Sequence, residues 1–235
     1  LPEGTNLDTC RPDPAARAEP LALGDVTIPP EARLITYVTR NLEPYRGFHV
    51  FMRALPKLLR ERSDIRVVLV GGDEVSYGAR LSQGTGRERL LAELKGQLDE
   101  SRVHFTGRVP YRLYSRLLQR SDVHVYLTYP FVASWSLREA LATGCAVVGS
   151  DTEPVREFIT HRANGLLTPC LDPARLADTV LMLLEDRELE WRLRIGARQY
   201  AERHLAMAEH LSQYQATIRR LTRGGDSNLE AVRVA

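Results

Sequence analysis

The sequence predicts a three-layer α/β/α domain built on a mostly parallel sheet, and three observations predict it. Short runs rich in β-formers alternate strictly with amphipathic segments. The connections between them are short, as crossover units require. Runs such as "IRVVLVG" and "DVHVYLTY" are almost continuous in β-branched and aromatic residues. Strands covered by helices on both faces have that character. The pattern is Rossmann-like in the broad sense of a doubly wound sheet.

In chain order, "RLITYVT" (33–39) is the first buried strand. The following segment, Phe48 to Arg62, places Phe48, Phe51, Met52, Leu55, Leu58 and Leu59 at helical spacing, with Pro56 predicting a kink or early break. "IRVVLVG" (65–71) is the second strand, and the long polar "GDEVSYGARLSQGTG" after it reads as a functional or disordered loop. "RERLLAELKGQLDE" is a helix, "RVHFTG" a strand, and "PYRLYSRLLQRS" a helix opened by Pro110. "DVHVYLTY" is the next strand, and "SLREALATG" a short helix closed by Gly144. "CAVVGSD", a turn "TEPVREFI", the strand "GLLTP" and two long helices complete the domain. The expected boundaries are a linker-like segment over 1–30, the domain over 31–222 and a flexible, frayed tail over 223–235.

The totals exclude several classes. The chain has 235 residues, a net charge of +2 and mixed charges, so it carries no concentrated basic footprint for nucleic acid. Cys10, Cys145 and Cys170 are an odd, widely spaced set without a C-x-x-C pair, which argues against zinc and dithiol chemistry and for a reducing, cytoplasmic setting. No apolar run approaches membrane-span length. The chain opens without Met on "LPEGTNLDTCRPDP", which reads as a cut through a longer protein.

In doubly wound sheets ligands bind at the carboxyl ends of strands. The loops after Thr39, Gly71, Gly107, Tyr129 and Ser150 are therefore the expected sites of chemistry. After the first strand, "TRNLEPYRG" carries Arg40 and Arg46, two guanidiniums whose planar forks would clamp a diphosphate; the bland alternative is two solvated surface arginines. Gly47 would let the next helix start close to the anion. Ser136 and Glu139 stand at S-x-x-E spacing, so a capping box alone accounts for them locally, with Ser136 capping the helix and Glu139 reaching back. The functional alternative has Glu139 accept hydrogen bonds from a ribose diol. Neither G-x-G-x-x-G, G-x-x-x-x-G-K-[ST] nor G-x-S-x-G is present, which removes the dinucleotide, P-loop and α/β-hydrolase fingerprints. The six His are scattered, and His124, within a strand, reads as structural. Asp151 and Glu153 are candidates for orienting a substrate, or ordinary caps.

Taken in order, "YVTRNLEPYRG", "VVLVGG", "VHFTGRVPYRLY", "DVHVYLTYPFVASWSLREALATGCAVVGSDTEPVREFI" and "NGLLTPCLDPARLADTV" resemble the C-terminal, donor-binding half of retaining GT-B glycosyltransferases of the large family four, group 1. The resemblance runs from about Leu1 to Arg220, and "LPEGTNLDTCRP" is similar to that family's crossover between domains.

The resemblance implies roles for particular residues. Arg40 matches the diphosphate-binding Arg, and Arg46 stands where the family usually has Lys. Gly107 and Arg108 fall where backbone groups recognise the nucleobase. Ser134, Ser136 and Leu137 lie in the loop whose amides approach the distal phosphate and sugar, and Glu139 matches the second Glu of the E-x7-E motif, which holds the ribose hydroxyls. One departure stands out: the first Glu of that motif, which usually contacts the transferred sugar, is Phe131 here, and Ala133-Ser134 replace the Phe-Gly that follows it. Ser134 and Ser136 are candidates to hold the sugar instead.

The implied reaction is front-face sugar transfer with retention from an NDP-sugar donor, with the leaving diphosphate stabilised by Arg40 and Arg46. No metal or cofactor is implied, and UDP, GDP and ADP are not distinguished. The expected partners are the nucleotide sugar and an N-terminal acceptor domain, which would also carry any membrane contact; the isolated chain is expected to bind nucleotide weakly and transfer no sugar. The competing expectation is a catalytically inactive nucleotide-binding or scaffold module of the same fold. A nicotinamide-dependent oxidoreductase ranks last for want of its glycine fingerprint.

Overall fold

The computed structural model describes residues 3–79 and 82–232, with side chains described through Thr222. Six parallel strands form one sheet: β3 (Arg33–Asn41), β4 (Ile65–Gly72), β5 (Val103–Gly107), β6 (Val123–Tyr126), β7 (Val147–Ser150) and β8 (Leu166–Thr168). A two-stranded antiparallel hairpin, β1 (Leu21–Leu23) and β2 (Val26–Ile28), precedes it. The sheet order is β5-β4-β3-β6-β7-β8. The chain winds outward from β3 to β5, then returns to the other side of β3. The direction reverses between β3 and β6, and a crevice forms at the carboxyl ends of such a strand pair.

The strands explain the two layers around them, because successive side chains point to opposite faces. Ile35, Tyr37, Val67, Leu69, Val123 and Val125 belong to a core shared with α1 (Phe48–Glu61), α2 (Gly86–Glu93) and α6 (Pro173–Glu185). Leu34, Val68 and Val70 face the hairpin and α3 (Tyr111–Arg120), while Tyr126 and Val147 pack with α4 (Trp135–Ala142). A short α5 (Glu153–Arg156) follows β7, and α7 (Arg187–His204) contributes Leu189 and Leu193 to the first core and Ala197 and Ala201 to the second.

Three local expectations change. Pro56 sits inside α1, yet the helix runs on to Glu61. The cost of one lost backbone bond is outweighed by Phe51, Met52, Leu55 and Leu58, all fully buried. The segment expected as a linker carries the hairpin, whose Leu21, Leu23 and Ile28 are buried against Leu34 and Leu117. The backbone of α8 (Met207–Val232) is helical into the stretch expected to be frayed.

The amino end of the sheet is closed by ion pairs. Arg33 at the start of β3 donates to Glu190 at 2.6 Å, and Arg17 also reaches Glu190, at 2.8 Å. Arg194 joins the same carboxylate at 3.0 Å. Asp122, just before β6, accepts from the Leu34 amide at 2.6 Å and pairs with Arg17 and Arg120. Burial pulls the Asp122 and Glu190 carboxyls up, but the surrounding guanidiniums outweigh it and hold both below the usual range.

Candidate functional site at the carboxyl ends of β3 and β6

The reversal point is spanned by one side chain. Arg46 lies in the 3-10 turn (Pro44–Arg46) after β3, and its Nη1 donates to Thr128 Oγ1 at 3.2 Å and to the Val132 carbonyl at 2.7 Å, both beyond β6. Gly47 makes this turn possible. Its φ is +69°, and a Cβ there would stand 2.4 Å from Leu127 Cβ, so only glycine lets α1 start against the chain leaving β6.

The two expected phosphate-binding arginines occupy opposite environments. Arg46 is 6% exposed, and among the described residues no carboxylate pairs with it. Its guanidinium lies 5.3 Å from the Tyr77 ring centre and 5.8 Å from that of Phe131. Those rings meet edge-on at 5.0 Å and roof the cation. The Arg40 side chain is exposed and has no hydrogen-bond or ion-pair partner among the described residues. It lies where β3 gains one residue relative to β4, between the Val38–Val70 and Asn41–Gly72 pairs. Such a bulge re-aims a side chain at the edge of a site.

The capping box expected at Ser136 and Glu139 is absent. Ser134 is the N-cap residue of α4 without a side-chain cap bond, and Ser136 lies inside the helix with its hydroxyl 2.7 Å from that of Ser134. The physical reason is a stronger local competitor for Glu139: Tyr111 Oη donates to Oε1 at 3.0 Å and Tyr114 Oη donates to Oε2 at 2.7 Å. The carboxylate therefore faces α3. Among the expected amides, Ser134 N–H is taken by the Tyr126 hydroxyl at 2.7 Å and Leu137 N–H by the Ser134 carbonyl at 3.2 Å. The Trp135 and Ser136 amides, in the first turn, have no acceptor within the helix. The Leu137 side chain is fully buried and serves the core.

Gly107 ends β5 with a φ of +64°, and a Cβ there would meet nothing, so the turn needs glycine for its backbone and not for space. Arg108 is exposed and pairs with Glu74 at 2.7 Å. Asp151 is engaged by Arg156 at 2.6 Å, outside this cluster. His124 is structural: fully buried, with Nδ1 2.9 Å from Thr36 Oγ1 and a pKa pushed down by burial to about 4.

Sequence reasoning missed Glu43, Tyr77, Tyr111 and Tyr114. Glu43 is buried, and its Oε2 accepts from the amides of Ser76 and Tyr77 at 3.2 and 3.0 Å, which fixes the loop that carries the Tyr77 roof. The only available signal was the i, i+3 placement of Tyr111 and Tyr114 at the start of a helix after a glycine turn. On the far side of Glu43, a cavity of about 250 Å³ is lined by Leu42, Phe48, His49, Asp73 and Leu90 among others. None of the residues expected at the site lines it.

The model of glycosyl transferases group 1 matches residues 24–200. The chain belongs to the group 1 glycosyltransferases. A phosphatidyl-myo-inositol mannosyltransferase of Mycolicibacterium smegmatis is 30% identical over 165 residues, which cover 68% of this chain and 38% of that protein. This glycosyltransferase chain thus spans less than half the length of that relative. Anabaena Alr3699/HepE, solved in complex with UDP and glucose, superposes with a TM-score of 0.74 at 20% identity over 92% of this chain and 55% of that one. The C-terminal domain of a group 1 family glycosyl transferase from Francisella tularensis gives a TM-score of 0.69 at 17% identity, over 87% of this chain and 100% of that one. The fold is that of one half of a GT-B enzyme. Among the described residues no helix is long and apolar enough to cross a membrane.

Proposed function

We propose that this domain binds the nucleoside-diphosphate sugar donor of a glycosyltransferase, and that the whole protein transfers the sugar to an acceptor hydroxyl with retention. One observation carries the reading. Arg46 is a buried cation at the sheet's reversal point, held by a hydroxyl, a carbonyl and two rings but by no carboxylate among the described residues. Buried charges are normally paired, and a diphosphate supplies the missing anion. Arg40, exposed and unpartnered among the described residues, adds a second cation on the same rim. In this reading Glu139 takes the ribose and the Gly107–Arg108 turn the base. The Trp135 and Ser136 amides, with the Ser134 and Ser136 hydroxyls, approach the distal phosphate and sugar.

The chemistry asked of these residues is electrostatic. Departure of the diphosphate concentrates negative charge on its oxygens. The Arg46 guanidinium, fixed in a partly dehydrated site, stabilises that charge without reorganisation. No metal takes part in this reading, and an acceptor half of the whole protein supplies the remaining groups. The domain alone then binds nucleotide and transfers nothing. Three free cysteines accord with a cytoplasmic setting.

The test is calorimetric titration of the chain with UDP, GDP and ADP in the absence of metal. UDP comes first because one neighbour was solved with it. Binding that Arg46→Met removes supports the donor site. Absence of binding to all three, or binding indifferent to Arg46, overturns it. A second reading, an inactive module, is favoured by Phe131: the residue that replaces the sugar-contacting Glu instead packs on Arg46 and Tyr77. That reading gains if nucleotide binds while the attached sugar adds nothing to affinity.

A further inference from the structure

Glu139 does not stand alone. Its carboxylate accepts one hydrogen bond on each oxygen, at 3.0 Å from Tyr111 and 2.7 Å from Tyr114. The two phenols occupy one face of the first turn of α3, with ring centres 5.6 Å apart. Tyr114 is buried, and Tyr111 is half exposed. Burial, with the nearby Glu139 charge, pushes both phenols above their ordinary range, so they stay protonated donors at any working pH.

The direction of this chain of bonds is fixed by proton count. An ionised carboxylate only accepts, so the single proton of each phenol goes to Glu139. The Tyr111 oxygen is then left as an acceptor. The Cys10 sulfur, 3.3 Å away, must be the donor to it. Cys10 belongs to the N-terminal segment, which Arg198 ties to the domain by donating to the carbonyls of Cys10 and Ala142 at 2.9 and 2.8 Å. A carboxylate offers about four lone-pair sites. Two are used by the phenols, and two remain for a diol.

We propose that Tyr114 and Tyr111 are positioning residues for the donor's ribose. They hold the Glu139 carboxylate in one rotamer before ligand arrives, and Cys10 makes the exposed half of that clamp depend on the N-terminal segment. Fixing a glutamate rotamer on binding costs conformational freedom, and a carboxylate held beforehand avoids that cost. The inference rests on the reading of Glu139 as the ribose ligand.

The experiment uses the full chain and whichever of UDP, GDP and ADP binds it best, together with the 2′,3′-dideoxy form of the same nucleotide. The expected wild-type preference for the ribonucleotide is about tenfold or more, as for a charge-assisted hydrogen bond. Tyr114→Phe should lower ribonucleotide affinity about fivefold and leave dideoxynucleotide affinity unchanged; Tyr111→Phe should do the same to a smaller degree. Cys10→Ser should keep wild-type discrimination, and Cys10→Ala should follow Tyr111→Phe. A purely structural role would weaken both ligands equally. If the wild type binds the two forms equally, Glu139 is not the ribose ligand and the donor-site reading of it falls. If the wild type discriminates but the Phe variants lose affinity for both forms alike, or for neither, only the positioning role falls. Tyr111 is surface-accessible, so its variant keeps the test decisive if Tyr114→Phe does not fold.

Discussion

The two ends of the parallel sheet treat charge in opposite ways. At the amino end Arg17, Arg33, Arg120 and Arg194 converge on Asp122 and Glu190, and every one of them reaches a carboxylate. At the carboxyl end Arg46, as buried as Arg33, reaches none among the described residues. The first arrangement satisfies itself and stabilises the fold. The second leaves a cation whose natural complement is an anion from outside. A sheet of one direction makes the asymmetry possible, because all six strands start at one end and deliver their loops to the other.

Removing a partner from the amino end should give the largest effect. Asp122→Asn leaves Arg120, and Glu190→Gln leaves Arg194, without a carboxylate in the interior, and each should cost about 3–5 kcal/mol of unfolding free energy. Chemical denaturation measures it, and nucleotide affinity of the folded fraction should not change. Acid reaches the fold by two further routes, one through His124 and one through this network. His124 is held neutral down to about pH 4 in the folded state, whereas an unfolded imidazole takes its proton near 6.5. Stability should therefore begin to fall below about pH 6.5. Asp122 and Glu190, with pKa values below the ordinary carboxylate range, hold their contribution above about pH 4 and lose it as pH drops further. A melting series that stays flat from pH 7 to pH 4 would contradict this account.

The carboxyl end should respond in the opposite sense. Arg46→Met removes a buried cation without stranding a carboxylate, and the linear side chain keeps most of the packing beneath Tyr77 and Phe131. Stability should change by less than about 1 kcal/mol, while nucleotide affinity falls by about 1.5–3 kcal/mol, the range for hydrogen bonds to charged groups. Arg40→Ala, at an exposed position, should cost less affinity, about 0.5–1 kcal/mol, and fade as salt is raised. If Arg46→Met destabilises the fold as strongly as Asp122→Asn, the contrast between the ends is lost, and Arg46 is structural.

Most of the fold was legible because it rests on local periodicity. Each strand core from Ile35 to Leu166 lies inside a run that reads as a strand, but the reversal between β3 and β6 comes from the structure, because alternation predicts parallel strands and not their order. Of the candidate site, the sequence marks only the loops after β3 and β5, through Arg40, Arg46 and Gly107. The bonds that give Glu139 its orientation were not legible, because Tyr111 and Tyr114 lie 28 and 25 residues away in sequence, and no spacing rule reports a contact between two helices. The roof over Arg46 was hidden for the same reason: Tyr77 and Phe131 come from loops after different strands. The protein also supplies its own control on motif reading. Thr85 and Glu88 share the S/T-x-x-E pattern with Ser136 and Glu139, and at Thr85 both bonds of a capping box form, 3.2 Å to the Glu88 amide and 2.8 Å back to the Thr85 amide. The α2 box forms on an exposed helix end where, among the described residues, no other donor takes the carboxylate. At α4 two phenols do.

That pair of motifs sets the smallest prediction. Thr85→Ala should cost about 1 kcal/mol of stability, the usual value of an N-cap bond, and should not touch nucleotide affinity. Ser136→Ala removes a hydroxyl that caps no amide, so its stability cost should stay within about 0.5 kcal/mol, as for a surface change. Its effect, if Ser136 serves the donor, should appear in nucleotide-sugar affinity instead. Paired denaturation curves decide the first point. A loss of 1 kcal/mol or more in Ser136→Ala would mean that α4 is capped through this residue after all, and that Glu139 divides its carboxylate between the helix end and the phenols of α3.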